Sequence, residues 1–429
     1  MTSPFPTPSP APEPGPSAGS GPAMEPPSLR PPLGTRLRAE LFGSPGNSAL
    51  TLVLLAALGT AGFGLLHWGL VQARWAVVRA NSTLFAVGRY PLDQQWRLWL
   101  LTALLAAAAG LAWGLLRSHP RRDRGGELWP RNDRIAVVLL AATALAVPWW
   151  LRLEPLIQAR WWGITALLLL VRWAAGHWGR RLPTRALALM PLLWPLLYLV
   201  GMVLINGGVG LLPVPPSDWG GLLLTLIAAS FAILLCFPLG VLLALGRRSD
   251  LPLLRWGSVL YIEFIRGAPL ITLLFLGQNM IGFLLPGGLA PDRVWRAAWV
   301  LTFFAAAYLA EAVRAGLAAI PPGQLEAARS LGLTVPQALR TVVLPQALRV
   351  ALPTMVGQFI SLLQDTTMLS LVGLMELMGT ARTVMANPAF LGRNAEVYLT
   401  LAVLFWCCCA ALGLGSRALE RRLDPNPAS

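Results

Sequence analysis

Residues 220–245 read GGLLLTLIAASFAILLCFPLGVLLAL, an uninterrupted run without a charged side chain. As a helix rising about 1.5 Å per residue, it is longer than the ~30 Å of hydrocarbon in a bilayer. Reading outward from this run gives the same picture. Ala49 to Leu66, Leu98 to Leu116 and Leu187 to Ile205 are further apolar stretches of spanning length, too numerous to be signal peptides. The chain is 55% hydrophobic and 12% charged, whereas soluble domains carry about a quarter charged residues. The bilayer is the solvent these numbers imply. The expected fold is an all-α polytopic membrane protein with about ten transmembrane helices, at roughly 49–67, 98–116, 135–151, 160–175, 187–206, 220–245, 256–284, 295–314, 352–373 and 396–416. Residues 1–34 are rich in Pro, Ser and Gly and lack an apolar signal core, so a disordered tail is expected there.

The formal charge of +15 does not indicate nucleic acid, because all the basic residues are arginines and most sit in short segments between apolar runs. Arginine placement is a topology signal. With the N-terminus inside, 22 arginines fall in cytoplasmic segments and 10 in external ones, which puts both termini in the cytoplasm. Tryptophans at span ends, including Trp149, Trp161, Trp219 and Trp295, fit interfacial anchoring, since the indole is apolar in body and keeps one N–H for the headgroups. Cys236, Cys407, Cys408 and Cys409 lie within apolar runs and read as small membrane-buried hydrophobes. His67, His119 and His177 stand at segment ends outside any metal-binding spacing. No nucleophile or metal cluster recurs at catalytic spacing, so an enzyme is disfavoured.

One long segment interrupts the pattern. Ala315 to Ala351 is amphipathic and should leave the hydrocarbon on the cytoplasmic side. Pro321 and Pro322 end the preceding span, and Gly323 to Leu331 can form a short helix. Gly332 can stop that helix in a left-handed conformation, and Thr334-Val335-Pro336 can start another with proline in its first turn. Ala327 and Ala328 would let another backbone approach, while Glu326 and Arg329 can pair with each other or with a partner.

Glu326-Ala327-Ala328, three residues, Gly332, nine residues, Val342, one residue, then Leu344-Pro345 resembles the EAA motif of ABC importer permeases, with Val where Ile is usual. Trp219–Leu226 (WGGLLLTL), Tyr261–Leu270 (YIEFIRGAPL), Ala307–Arg314 (AYLAEAVR) and Leu344–Arg349 (LPQALR) look like the polar amino-acid permeases of that superfamily, of the histidine and glutamine type. The N-terminal extension is similar to that of the larger subunit of general L-amino-acid importers. Those permeases commonly read Lys-Asp-Thr-Ser-Leu where this chain has Gln364-Asp365-Thr366-Thr367-Met368. The resemblance implies a C-terminal five-helix type I permease core with a cytoplasmic coupling helix, in a bacterial inner membrane. It also implies an ATP-binding cassette ATPase dimer carrying ATP and Mg, a second permease subunit in a heterodimer, an extracytoplasmic amino-acid-binding protein and an amino-acid substrate. Residues 1–48 would be a cytoplasmic tail and 49–206 a membrane extension of about five spans. Residues 207–219 would be an external connector, 220–416 the core with its loop at 315–351, and 417–429 a second tail. The chain itself lacks the GxxxxGK[ST] loop that cradles ATP phosphates, so no cofactor is expected on it. A secondary transporter driven by an ion gradient is the competing function.

Intramembrane charges are functional candidates because each costs about 2.5–3.5 kcal/mol on insertion scales. Glu263 with Arg266, and Glu311 with Arg314, are each three apart near cytoplasmic ends of spans. They suit an inner gate whose members exchange partners between helices, or static pairs within each helix. Asp365 with Thr366 and Thr367 suits recognition of a substrate ammonium at mid-depth, or a helix-packing network in which the threonines bond carbonyls. Pro238 followed by Gly240 suggests a bend in the sixth span, static or hinged.

Overall fold

A computed structural model describes residues 33–118, 131–150, 152, 154–179, 190–208, 210–284 and 290–423. The chain divides into two units, residues 1–73 and 74–429. The first holds α1 (Leu33–Phe42) and α2 (Pro45–His67), with a π-type turn at Trp68–Gln72 continuing α2. Ser44 caps α2 by accepting from the Asn47 N–H at 3.1 Å, and Pro45 occupies a position where no N–H is needed. Residues 33–48, expected within the disordered tail, are thus largely helical. Residues 1–32 of that tail and 424–429 of the other lie outside the described residues.

The second unit opens with two short helices, α3 (Ala76–Ala80) and α4 (Ser82–Val87), followed by α5 (Gln95–Ser118). Then come α6 (Arg131–Trp150), α7 (Pro155–Trp178) and α8 (Met190–Asn206). α7 packs against both α5 and α6, and α8 packs against α5. Next are α9 (Gly221–Arg247), α10 (Pro252–Gly267), α11 (Leu270–Leu284) and α12 (Arg293–Ala318). The ten expected spans correspond to α2, α5 to α9, α10 with α11, α12, and two later helices. The seventh is not one continuous helix. α10 and α11 meet at 106°, because Pro269 drives Ala268 out of the helical region (φ −95°, ψ 138°). The Pro269 carbonyl then accepts from the Thr272 and Leu273 N–H groups and starts α11 afresh.

α12 is the pillar of the unit. Ala297, Leu301, Ala305, Ala306, Leu309 and Val313 are buried on it, and it packs against α9, α10, α11 and α15 (Leu344–Asp365). Helices surrounded by lipid gain little from apolar burial against one another, so close fit of small side chains carries the association. The alanines of α12 serve that fit. Gly240 of α9 lies so near Leu309 that a Cβ there would approach its side chain to 2.9 Å. Opposite, a Cβ on Gly316 would collide with the Ala347 carbonyl of α15.

After α15 the chain tightens into a 3-10 helix (Thr366–Val372), turns at Gly373, forms α16 (Leu377–Met385) and ends in α17 (Asn394–Leu423). Segment 74–97 is bound into this core. Gly88 pairs with Trp219, the Tyr90 hydroxyl donates to the Ile205 carbonyl at 3.0 Å, and the buried Arg97 donates to the Leu212 carbonyl at 2.8 Å.

Candidate functional site: the elbow and the inner charge cluster

The elbow begins with α13 (Gly323–Ser330). Its end is a Schellman turn. Gly332 takes φ +84° and donates to the Arg329 carbonyl at 2.9 Å, while Leu333 donates to the Ala328 carbonyl at 3.2 Å. Thr334 then opens α14 (Val335–Ala338), with the Gln337 side chain accepting from the Thr334 N–H at 3.0 Å and from its hydroxyl at 2.9 Å. A π-type turn, Leu339–Val343, joins α14 to α15 without leaving helical geometry. Pro345 accounts for that widening: it has no N–H for the Thr341 carbonyl, and in an undistorted α-helix its ring would clash with that carbonyl. The second arm of the elbow is therefore continuous with the ninth span. Gln346 donates to the Gln324 side chain at 3.3 Å and ties the first arm to the same rod.

The two alanines separate. Ala327 is exposed, but Ala328 is buried inside the elbow, contrary to the expectation that both face outward. Glu326 and Arg329 are exposed, and neither forms an ion pair among the described residues. The tip presents Leu331, 85% exposed, with Val335 at 44%. Sequence reasoning did not single out Leu331, although a leucine between a helix end and its Gly cap marks the tip of such a turn. Leu344 is half-buried and Pro345 exposed.

The charged groups meet at the ends of three helices. Glu311 on α12 accepts from Arg247 at 2.8 Å and from Arg314 at 3.0 Å, with Arg266 at 3.8 Å. Arg247 also bonds Glu263 at 3.0 Å. The Glu311–Arg314 pair within α12 exists beside the pairs between helices; a Glu263–Arg266 pair does not appear among the described ion pairs. Arg247, the last residue of α9, is the missing member and the one that joins two acidic groups. Arg247 and Arg266 both stand in last helical turns, where the helix dipole favours a cation. Arg266 also lies 5.6 Å from the Tyr308 ring centre. Three arginines thus surround two glutamates, and Glu311, with its side chain 19% exposed, is the hub.

At the far end of α15, the Thr366 and Thr367 hydroxyls donate to the carbonyls of Leu363 and Gln364 at 2.6 and 2.8 Å. Their donors are used by the backbone. The Asp365 carboxylate, half-buried, makes no hydrogen bond or ion pair among the described residues, so it alone keeps its capacity for a ligand. Beyond the turn, Glu376 is fully buried and caps α16 by accepting from the Met378 and Gly379 N–H groups at 2.6 and 2.9 Å. Burial pushes its carboxyl up to about 7, against the lowering pull of those two donors and of Arg382.

Residues 236–425 match the family described as "Binding-protein-dependent transport system inner membrane component". The chain is 34% identical to the glutamate/glutamine/aspartate/asparagine transport system permease protein BztC of Rhodobacter capsulatus, over 90% of this chain and 93% of that one. It is 33% identical to the inner membrane amino-acid ABC transporter permease protein YhdY of Escherichia coli, over 90% and 92%. The chain belongs to this family of ABC importer permeases. A shorter relative, the probable glutamine ABC transporter permease protein GlnM of Bacillus subtilis, is 34% identical over 47% of this chain and 91% of its own length. The permease is a non-enzymatic membrane component of an ATP-driven importer, and its matched region contains both the elbow and Glu311.

Proposed function

We propose that this permease conducts a polar amino acid across a bacterial inner membrane, and that the elbow receives the force for transport from a separate ATP-binding cassette dimer holding ATP and Mg. The observation that carries the reading is the exposed apolar tip at Leu331 on a rigid two-arm turn that runs unbroken into a span. A cleft that fits this tip can push such an elbow and move α15 with it. Membership of a binding-protein-dependent family supports an external binding protein as the source of substrate. The names of BztC and YhdY support amino acids as the cargo. A second permease subunit completes the path, and both termini lie in the cytoplasm, in keeping with the arginine count. The Glu311 cluster closes the inner end by tying α9, α10 and α12 together, and Asp365 is the candidate contact for the substrate ammonium.

Reconstituting this chain with its co-purifying subunits in proteoliposomes tests the proposal. Uptake of labelled glutamine or glutamate should require both the ATPase and ATP and survive ionophores that collapse ion gradients. Uptake by the isolated chain that fails on gradient collapse would instead establish a secondary transporter.

A further inference from the structure

α5 and α7 diverge along their length. Near the C-terminal half of α5 they touch backbone to backbone: a Cβ on Gly110 would collide with the Leu168 carbonyl, and one on Gly114 with the Arg172 carbonyl. Toward their N-termini they part and leave an open-sided groove of about 320 Å³. Trp96, Trp99 and Ala103 of α5 and Arg160, Gly163 and Leu167 of α7 line it. Gly163 faces open space, with nothing within 4 Å of where a Cβ would sit.

The groove has a charged neck above an apolar slot. Arg160 lies 5.4 Å from the Trp99 ring centre and forms no ion pair among the described residues. It sits in the second turn of α7, about 7.5 Å past the helix start, while Gly163 and Leu167 continue one and two turns deeper. A guanidinium at that depth stands at headgroup level, and tryptophans favour the same zone. Arg172 is the contrast: it too lies over a tryptophan, Trp113 at 4.6 Å, but it is 5% exposed and sealed in the helix contact. Of the two, Arg160 is the one left open on the groove.

We propose that this groove holds one anionic phospholipid, its phosphate on the Arg160 guanidinium and one acyl chain along Gly163 and Leu167. The charge at the neck selects the occupant, because a zwitterionic lipid offers Arg160 a phosphate already neutralised by its own ammonium. Opening to one side also suits a molecule that enters laterally from the membrane. The proposal needs the spans to lie in a bilayer and is independent of what the permease carries.

The test is native mass spectrometry of the intact complex from nanodiscs containing phosphatidylglycerol or phosphatidylcholine. Wild type should retain one more phosphatidylglycerol than Arg160→Gln, with a loss of relative retention of about fivefold in the variant. Gly163→Leu fills the slot, so it should also release that lipid while leaving Arg160 in place. Phosphatidylcholine should be retained equally by all three. Equal phosphatidylglycerol retention in wild type and both variants overturns the site, as does retention of phosphatidylcholine at the same level as phosphatidylglycerol in wild type. If Gly163→Leu displaces a subunit and not a lipid, a protein helix fills the groove and the proposal is wrong.

Discussion

The inner gate proposed above turns on a single residue, Glu311. Its carboxylate faces Arg247 and Arg314 within 3.0 Å and Arg266 at 3.8 Å, so its removal leaves three cations against Glu263 alone. Breaking such a pair costs ~0–1 kcal/mol at an exposed site and about 3–5 kcal/mol at a buried one. With the side chain 19% exposed, Glu311→Gln should destabilise the permease by about 2 kcal/mol and raise basal ATP hydrolysis without substrate. Adding Arg247→Gln should recover part of the lost melting temperature; a double variant no better than the single one would show that Arg247 does not act on Glu311. Glu376 gives a second prediction at this scale. Its folded carboxyl titrates near 7 against 4.5 for the free group, so the folded state holds the extra proton between those values. Stability from this group is therefore full below about pH 4.5 and is lost as the pH rises through 7. The melting temperature should fall across that window in wild type, and Glu376→Gln should flatten the slope. An unchanged slope in the variant would assign the pH dependence elsewhere.

Among the elements, the elbow was the most legible in sequence, because its determinants are local. A Gly that must reach φ +84°, a Thr–Gln cap pair and a Pro in a first turn are each readable one turn at a time. Gly332→Pro should therefore abolish ATP-coupled uptake, since proline fixes φ near −65° and removes the N–H that bonds Arg329. Membrane insertion and substrate-independent ATP hydrolysis by the partner should persist. Normal uptake would show that the elbow does not transmit force. The broken seventh span was not legible, because hydropathy averages across the break and a proline in an apolar run reads equally as a kink. α1 and α16 went unread because each is shorter than the window that reveals a span. Arg247 was missed for a different reason: its two partners come from α10 and α12, and pairing between helices is set by packing. The same holds for the inward turn of Ala328, which depends on where the second arm folds back.

At the scale of the whole molecule, the extension and the core are joined by contacts across the connector at 207–219. Residues 74–206 share a unit with the core. The seam is a close one: Gly88 meets Gly220 backbone to backbone, Arg97 bonds the carbonyl at 212, and Trp219 is 1% exposed beneath them. GlnM spans less than half of this chain, yet here the outer end of the core is built around a segment beyond that half. A core expressed from residue 207 onward would leave Trp219 uncovered and the Gly220–Gly221 backbone without its neighbour. Burying a large aromatic is worth about 1.5–3 kcal/mol, and the Arg97 bond to the Leu212 carbonyl is lost with it. The truncated core should melt well below the full chain and bind hydrophobic dye at its outer end, while supplying residues 74–206 as a separate segment should restore the melting temperature. Cleavage at an engineered protease site after Ala73 should change neither, because that cut follows the boundary between units. A truncated core as stable as the full chain would mean that the extension is an independent module and that the seam at Gly88 contributes no stability.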